Sequence, residues 1–281
     1  WCKTLKGEGD AVGKLVEKGK SAFTGPEIKG KTLGVVGLGA IGILVANAAK
    51  SLGMQVYGYD PYLSVDAAWS LSRDIKHATS LDDIFAKSDY ITVHVPLTEE
   101  TRGLVSKASI AKMKDGVRIV NFARGDLVNS KDILEALQNG KVAAYATDFP
   151  SDELIGESGV IAIPHLGAST PESEDNCAAM AADELKDYLE EGVIRNSVNL
   201  PNVVLPRSAD TRICLIHKNV PSMLNQITAT LTEKNVNIDN MINKSKKAFA
   251  YTVIDTNDAI GDDTLAALSA IEGIVRVRVI R

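Results

Sequence analysis

The sequence has only 3 cysteines among its 281 residues, and Cys2, Cys177 and Cys214 share no CxxC or Cys/His spacing. That argues against a disulfide framework and a structural zinc site, so no metal is expected, and it fits a reducing cytoplasm. It lacks any apolar run long enough to span a bilayer, so membrane insertion is not expected. It also lacks an excess of positive charge: 31 Lys and Arg stand against 36 Asp and Glu, for a net charge of −5. Without a positive field nucleic acid is not an expected partner, although Lys14, Lys18, Lys20, Lys29 and Lys31 make the opening stretch locally basic. No signal-peptide pattern is present, and the chain opens on Trp1 instead of Met, so an upstream part is expected to be missing.

What is there is ordinary for a soluble globular protein of about two domains: 45% hydrophobic and 24% charged residues. Residues 1–30, rich in Gly and Lys with little apolar periodicity, read as an arm or linker. From 31 to 170 short β-branched runs (Leu33–Val36, Val56–Tyr59, Tyr90–Val95, Val117–Asn121, Val142–Thr147, Val160–Ile163) alternate with helical stretches near 41–52, 81–86, 107–113 and 131–139. This alternation predicts an α/β domain with a doubly wound parallel sheet. A long helix is expected over 171–191, with Ser169 or Thr170 as cap, Pro171 in its first turn and Gly192 as its stop. Asn196–Ser208 reads as a linker, and 209–281 follows the order βαββαβ, a ferredoxin-like arrangement.

The chemistry-bearing motifs fall where such a sheet opens its crevice. Gly37-Leu38-Gly39-Ala40-Ile41-Gly42 follows the first strand and opens a helix. Gly37 permits the tight turn, Gly39 lets backbone approach a pyrophosphate, and Gly42 lets helix and strand press together. Asp60, ending the second strand, can accept from ribose hydroxyls and would repel a 2′-phosphate, so NAD is the expected cofactor. Three further clusters end later strands: His94-Val95-Pro96-Leu97-Thr98, Asn121-Phe122-Ala123-Arg124-Gly125, and Asp148 leading through Glu153 to Pro164-His165-Leu166-Gly167. Hydride transfer between NAD and a 2-oxo acid needs a cation at the carboxylate and carbonyl and an acid for the developing alkoxide. Arg124 and His165 supply these, and a carboxylate such as Glu153 beside His165 would keep it protonated. His77 and His94 are read as structural.

These four ordered motifs, the last running on through Ala168-Ser169-Thr170, resemble the D-isomer-specific 2-hydroxyacid dehydrogenase family from about residue 25 onward. The terminal stretch, with Asn219-Val220-Pro221 and Val236-Asn237-Ile238, resembles an ACT regulatory domain. Within the family that pairing implies NAD-dependent oxidation of 3-phospho-D-glycerate to 3-phosphohydroxypyruvate, the entry to serine synthesis, by a homodimer or homotetramer. The resemblance gives Arg124 the substrate, His165 the proton, Glu153 the support of His165, and Asp148 the nicotinamide carboxamide. It implies cofactor contacts at Gly37, Gly39, Ala40, Ile41, Gly42, Asp60, Val95, Pro96, Phe122, Ala123, His165, Gly167 and Ala168. The wording Asp148-Phe149-Pro150-Ser151-Asp152-Glu153 departs from the family's usual one and leaves Asp152 as a rival to Glu153.

In the ACT-like stretch His217, Asn219 and Asn237 fall where related enzymes hold an inhibitory L-serine at an ACT–ACT interface. Ser222 replaces the family's usual glycine there, so the module either binds serine or only joins subunits. The family's phosphate-binding segment would lie upstream of Trp1, and the 171–191 helix resembles the one that returns to it. Two other readings remain: a dehydrogenase of glycerate or hydroxypyruvate, and a non-enzymatic NAD-sensing protein of the same fold.

Overall fold

A strand that is apolar on both faces needs cover on both, and Thr32–Val36 (β1) is buried at every position. In the computed structural model, which describes residues 1–281, β1 belongs to a seven-stranded sheet with the order β3-β2-β1-β4-β5-β6-β7. Its other strands are Gln55–Tyr59 (β2), Lys76–His77 (β3), Tyr90–Val93 (β4), Val117–Asn121 (β5), Val142–Thr147 (β6) and Val160–Ala162 (β7). All neighbours run parallel. The helices of this unit are Val12–Gly19 (α1), Ala40–Ser51 (α2), Val65–Trp69 (α3), Leu81–Lys87 (α4), Lys107–Ala111 (α5) and Ser130–Gln138 (α6).

Successive β1 residues feed opposite faces. Leu33 and Val35 pack with Ile43, Ala46 and Ala49 of α2, whereas Val36 joins Ile84 and Phe85 of α4, Ile91, Ile119 and Ile133. Polar side chains start the helices: Ser80 Oγ accepts from Asp83 N at 3.2 Å, and Asn129 Oδ1 from Lys131 N at 3.1 Å. Strand order reverses between β1 and β4, so a crevice opens at the carboxyl ends of those two strands. Three elements were not foreseen, α1, α3 and β3. All are short: α1 lies in the stretch read as an arm or linker and buries none of its residues, and β3 is an exposed edge pair whose two residues carry no apolar alternation. Residues 1–31 contribute nothing to the core.

The chain divides into two compact units, Trp1–Leu166 and Gly167–Arg281. The second begins with Pro171–Glu191 (α7), where Thr170 Oγ1 accepts from Ser173 N at 3.1 Å and Gly192 stops the helix at φ 67°. Then come Thr211–Lys218 (β8), Met223–Glu233 (α8), Asn240–Lys246 (β9), Phe249–Thr256 (β10), Asp262–Ala270 (α9) and Ile274–Ile280 (β11). Together β8–β11 form an antiparallel sheet with the order β11-β8-β10-β9. One face of β8 packs Ile213 and Leu215 against Ile227 and Leu231 of α8 and Leu268 of α9. The other face, with Cys214, Tyr251 and Val253, is covered by Ile194 and Val203. Those two residues exchange backbone hydrogen bonds of 2.9 Å. The stretch expected as a linker is therefore partly a lid on the sheet.

The C-terminal end of α7 is fastened to the same sheet. Tyr251 Oη donates to Gly192 O at 2.8 Å, and Arg212 Nη1 to Glu191 O at 2.8 Å. Burial lifts the Tyr251 phenol far above its usual range, so it remains a donor. Arg278 reaches Tyr188 O and lies over the Tyr188 ring, 4.4 Å from its centroid. Arg212 also grips Asp255 through Nε and Nη2 at 2.7 and 2.8 Å, with the two side chains only 1% and 0% exposed. Ser208 adds its N–H and hydroxyl to the same carboxylate at 3.0 and 3.1 Å. Burial alone would raise the Asp255 carboxyl, but Arg212 and Ser208 hold it below the usual carboxylate range.

Breaking this pair on one side leaves a buried charge alone. Asp255→Ala is expected to cost about 3–5 kcal/mol in urea unfolding, whereas replacing Arg212 and Asp255 together by apolar residues costs much less. Because the folded carboxyl is held below its unfolded value, its contribution is complete above the unfolded value and drains away as pH falls through the folded one. Acid unfolding followed by circular dichroism should thus be flatter in the apolar double variant than in the wild type.

Candidate active site

Backbone proximity dictates the glycine turn. Gly37 sits at φ 91°, and a Cβ there would lie 2.6 Å from His94 O at the end of β4. At Gly42 a Cβ would come 2.0 Å from Gly37 O, so α2 could not start where it does. Gly39 faces open space and is the N-cap of α2 with no side chain to satisfy the first-turn amides. Those amides and the positive end of the helix are left for an anion. Half-buried Asp60 braces the turn: Oδ2 accepts from Leu38 N and Oδ1 from Tyr62 N, both at 2.8 Å. A carboxylate oxygen accepts more than one hydrogen bond, so both retain capacity for ribose hydroxyls.

Beside this turn a cleft of about 210 Å³ is lined by Ile41, His94, Val95, Pro96, Phe122, Ala123 and Arg124. Five of the expected cofactor residues, Ile41, Val95, Pro96, Phe122 and Ala123, are thereby brought together with Arg124. Gly39 and Ala40 are exposed at the mouth of α2. His94 lines the same cleft with Nε2 2.9 Å from Thr92 Oγ1, and burial pushes its imidazole below the usual histidine range.

Asn121, which the sequence reading passed over as a site residue, shapes the Arg124 loop. It is fully buried; Nδ2 donates to Arg124 O at 2.9 Å and Oδ1 accepts from Ala123 N at 3.2 Å. The signal was its place as last residue of β5, where a side-chain amide can pair with turning backbone. Arg124 itself is exposed; Nη1 donates to Ala123 O at 2.7 Å, leaving the rest of the guanidinium fork free.

Asp148 and His165 follow β6 and β7, the next strands of the sheet. The carboxylate against His165 is that of Asp148, with Oδ2 3.1 Å from Nδ1. This corrects the expectation for Glu153: both Glu153 and its rival Asp152 are exposed and hydrogen-bond to nothing through their side chains. The reason is local. Leu154 turns into the core at 2% exposure, and its acidic neighbours point outward. Asp148 is 8% exposed, and its Oδ1 is buried without a partner.

Of the remaining expected residues, Gly167 and Ala168 are exposed and open the second unit. His217 is not a free ligand. It is 2% exposed, with Nδ1 2.8 Å from Lys218 O and Nε2 2.9 Å from Thr252 Oγ1. Register explains this, since His217 lies in β8 beside β10, where Thr252 presents its hydroxyl to the ring. Asn219 is exposed and donates to Lys247 O at 3.1 Å; Asn237, also exposed, donates to Asp239 Oδ1 at 3.2 Å. Asn219 follows β8 and Asn237 precedes β9, so the strand pairing sets them at opposite ends of the sheet.

Residues 7–167 match the NAD binding domain of the D-isomer specific 2-hydroxyacid dehydrogenases. The chain belongs to this family. It is 41% identical over 194 residues to D-3-phosphoglycerate dehydrogenase of Bacillus subtilis, a match over 67% of the chain and 36% of that protein. It is 35% identical over 275 residues to that of Haemophilus influenzae, 93% of the chain and 65% of that protein. The chain thus spans between about a third and two thirds of these relatives' lengths. Among solved structures, a glyoxylate reductase from Paecilomyes thermophila matches with TM-score 0.56 and 29% identity over 66% of the chain and 60% of that structure. A D-lactate dehydrogenase from Aquifex aeolicus, complexed with NAD and lactic acid, matches with TM-score 0.54 and 29% identity, over 64% of the chain and 60% of that structure.

The first unit fits NAD on its own geometry: uncapped α2 amides that can take a pyrophosphate, Asp60 with capacity for ribose hydroxyls, and a cleft with apolar walls at the switch point. Gly42→Ala should move the turn and weaken NADH binding at least tenfold, about 1.4 kcal/mol. A fluorescence titration with circular dichroism as the folding control measures it; unchanged affinity in a folded variant contradicts the placement.

Proposed function

We propose that this protein oxidises 3-phospho-D-glycerate to 3-phosphohydroxypyruvate with NAD, the first step of L-serine biosynthesis, as a cytoplasmic homodimer or homotetramer. The observation that carries this reading is the reach of the similarity. The Haemophilus relative, a D-3-phosphoglycerate dehydrogenase, aligns over 93% of the chain and so through most of the second unit. The solved glyoxylate reductase and D-lactate dehydrogenase align over only 66% and 64%. We read the second unit, with its βαββαβ order, as an ACT regulatory module.

In this reading Arg124 offers its free guanidinium donors to the substrate's carboxylate and to the oxygen on C2, where charge develops. His165 removes the hydroxyl proton during oxidation and returns it in the reverse direction. NAD, when bound, accepts the hydride from C2. Asn121 keeps Arg124 in place from below through the loop backbone. The competing reading, a dehydrogenase of glycerate or hydroxypyruvate, draws on the solved relatives and differs in whether the substrate phosphate matters. A non-enzymatic NAD sensor would bind the dinucleotide and turn over none of these acids.

NADH formation should be faster with 3-phosphoglycerate than with glycerate or D-lactate. Arg124→Ala and His165→Ala should each lower kcat/KM by roughly 10²–10⁴ while NADH binding stays within a few-fold. Equal turnover of glycerate moves the assignment to the rival enzyme, and normal turnover in either variant removes that residue's role.

The regulatory part follows from the same reading. With Asn219 and Asn237 at opposite ends of one sheet, a single serine reaches both only between two copies. Serine binding, followed by calorimetry, is accordingly expected only in the oligomer and lost in both Asn219→Ala and Asn237→Ala. Binding by a monomer excludes the interface site.

A further inference from the structure

The geometry points to Asp148 as the residue that positions His165: it accepts the Nδ1–H of the imidazole and leaves Nε2 as the nitrogen that exchanges a proton with substrate. The role rests on the reading of His165 as the proton acceptor, but the contact does not. An ionised carboxylate only accepts hydrogen bonds, so with Nδ1 3.1 Å from Asp148 Oδ2 the tautomer that carries its hydrogen on Nδ1 is the favoured one. In that neutral tautomer the lone pair is on Nε2.

Three features make this a seat and not a chance contact. Asp148 directly follows β6 and is 8% exposed, so its short side chain is held by the sheet edge, whereas the His165 side chain is 53% exposed and keeps one edge open. Phe149 lies against the imidazole with ring centroids 4.6 Å apart and planes inclined by 55°. Phe149 is itself backed by Gly125, where a Cβ would stand 3.3 Å from Phe149 Cβ, and its N–H is tied to Thr147 Oγ1 at 3.0 Å. The run Thr147-Asp148-Phe149 thus holds the ring at one nitrogen, through the carboxylate, and from a second side, through the tilted phenyl. Finally, Asp148 Oδ1 is buried without a partner, so His165 is the one side chain that pairs with this carboxylate.

Nitrogen-15 NMR on the whole chain tests this without turnover. The sequence holds only 4 histidines, and the His165 signals are assigned by their loss in His165→Gln. At a pH where the ring is neutral, the wild type should be mainly Nδ1–H; Asp148→Ala should shift the majority to Nε2–H, and Glu153→Gln should leave the wild-type pattern. A wild type that is mainly Nε2–H overturns the assignment, as does a shift caused by Glu153→Gln and not by Asp148→Ala. Should Asp148→Ala not fold, the wild-type tautomer and the Glu153→Gln spectrum decide between the two carboxylates. A failure of 3-phosphoglycerate oxidation would be read in the turnover assay and leaves the tautomer result standing.

Discussion

Where β1 passes into α2, backbone atoms approach so closely that side chains are excluded at two points: 2.0 Å separates a Cβ on Gly42 from Gly37 O, and 2.6 Å one on Gly37 from His94 O. This closeness fixes more than a turn. It pins the start of α2 against the ends of both β1 and β4, the two strands between which the sheet order reverses, and so defines the floor of the crevice. Val95 and Pro96 follow directly from that clamped β4 end, and Asp60 ties the next strand to the turn through Leu38 N. The Arg124 loop closes the cleft from β5, with buried Asn121 turning its amide onto the loop backbone. In a parallel sheet all carboxyl ends share one edge, and every group assigned to chemistry in the first unit is carried there.

The second unit solves a different problem. Its central strand, β8, is buried on both faces, yet only one face has helices of the βαββαβ repeat to cover it. The opposite face is closed by the chain between α7 and β8, and that closure is polar as well as apolar. Arg212 joins Asp255 across the sheet and reaches Glu191 O at the end of α7. One guanidinium thereby fastens a helix end to two strands. The arrangement carries a desolvation cost that only a fully paired carboxylate offsets, and Ser208 completes the pairing.

What could be read from the sequence followed from local requirements. The glycine fingerprint, Asp60, Arg124 and His165 are specified by turns and strand ends that announce themselves in a few residues, and α7 is bracketed by Thr170, Pro171 and Gly192. What could not be read depends on non-local packing. His217 falls, by resemblance, at a serine site, yet β10 brings Thr252 to its ring. Residues 196–208 looked like a linker because Asn and Pro hide Val203, which docks on the sheet together with Ile194 just before them. Glu153 and Asp152 are the acids the sequence offers His165, with Asp148 given to the nicotinamide carboxamide, and nothing in the composition of this stretch shows that Asp148 alone is buried beside the ring.

Burial makes that choice, and the reason bears on how a histidine is held. A glutamate on an exposed turn reaches its partner through several freely rotating bonds, and holding it there costs side-chain entropy. An aspartate at a strand end has fewer bonds to order, and its backbone is already fixed by the ladder with β5 and β7. Phe149, the very next residue, then occupies the space that Gly125 leaves open and meets the imidazole face. Phe149 bounds His165 on one side, and the turn that buries Leu154 leaves Glu153 exposed and without a side-chain partner. The imidazole thus has an aromatic neighbour and a short, stiff carboxylate from two adjacent residues, Phe149 and Asp148.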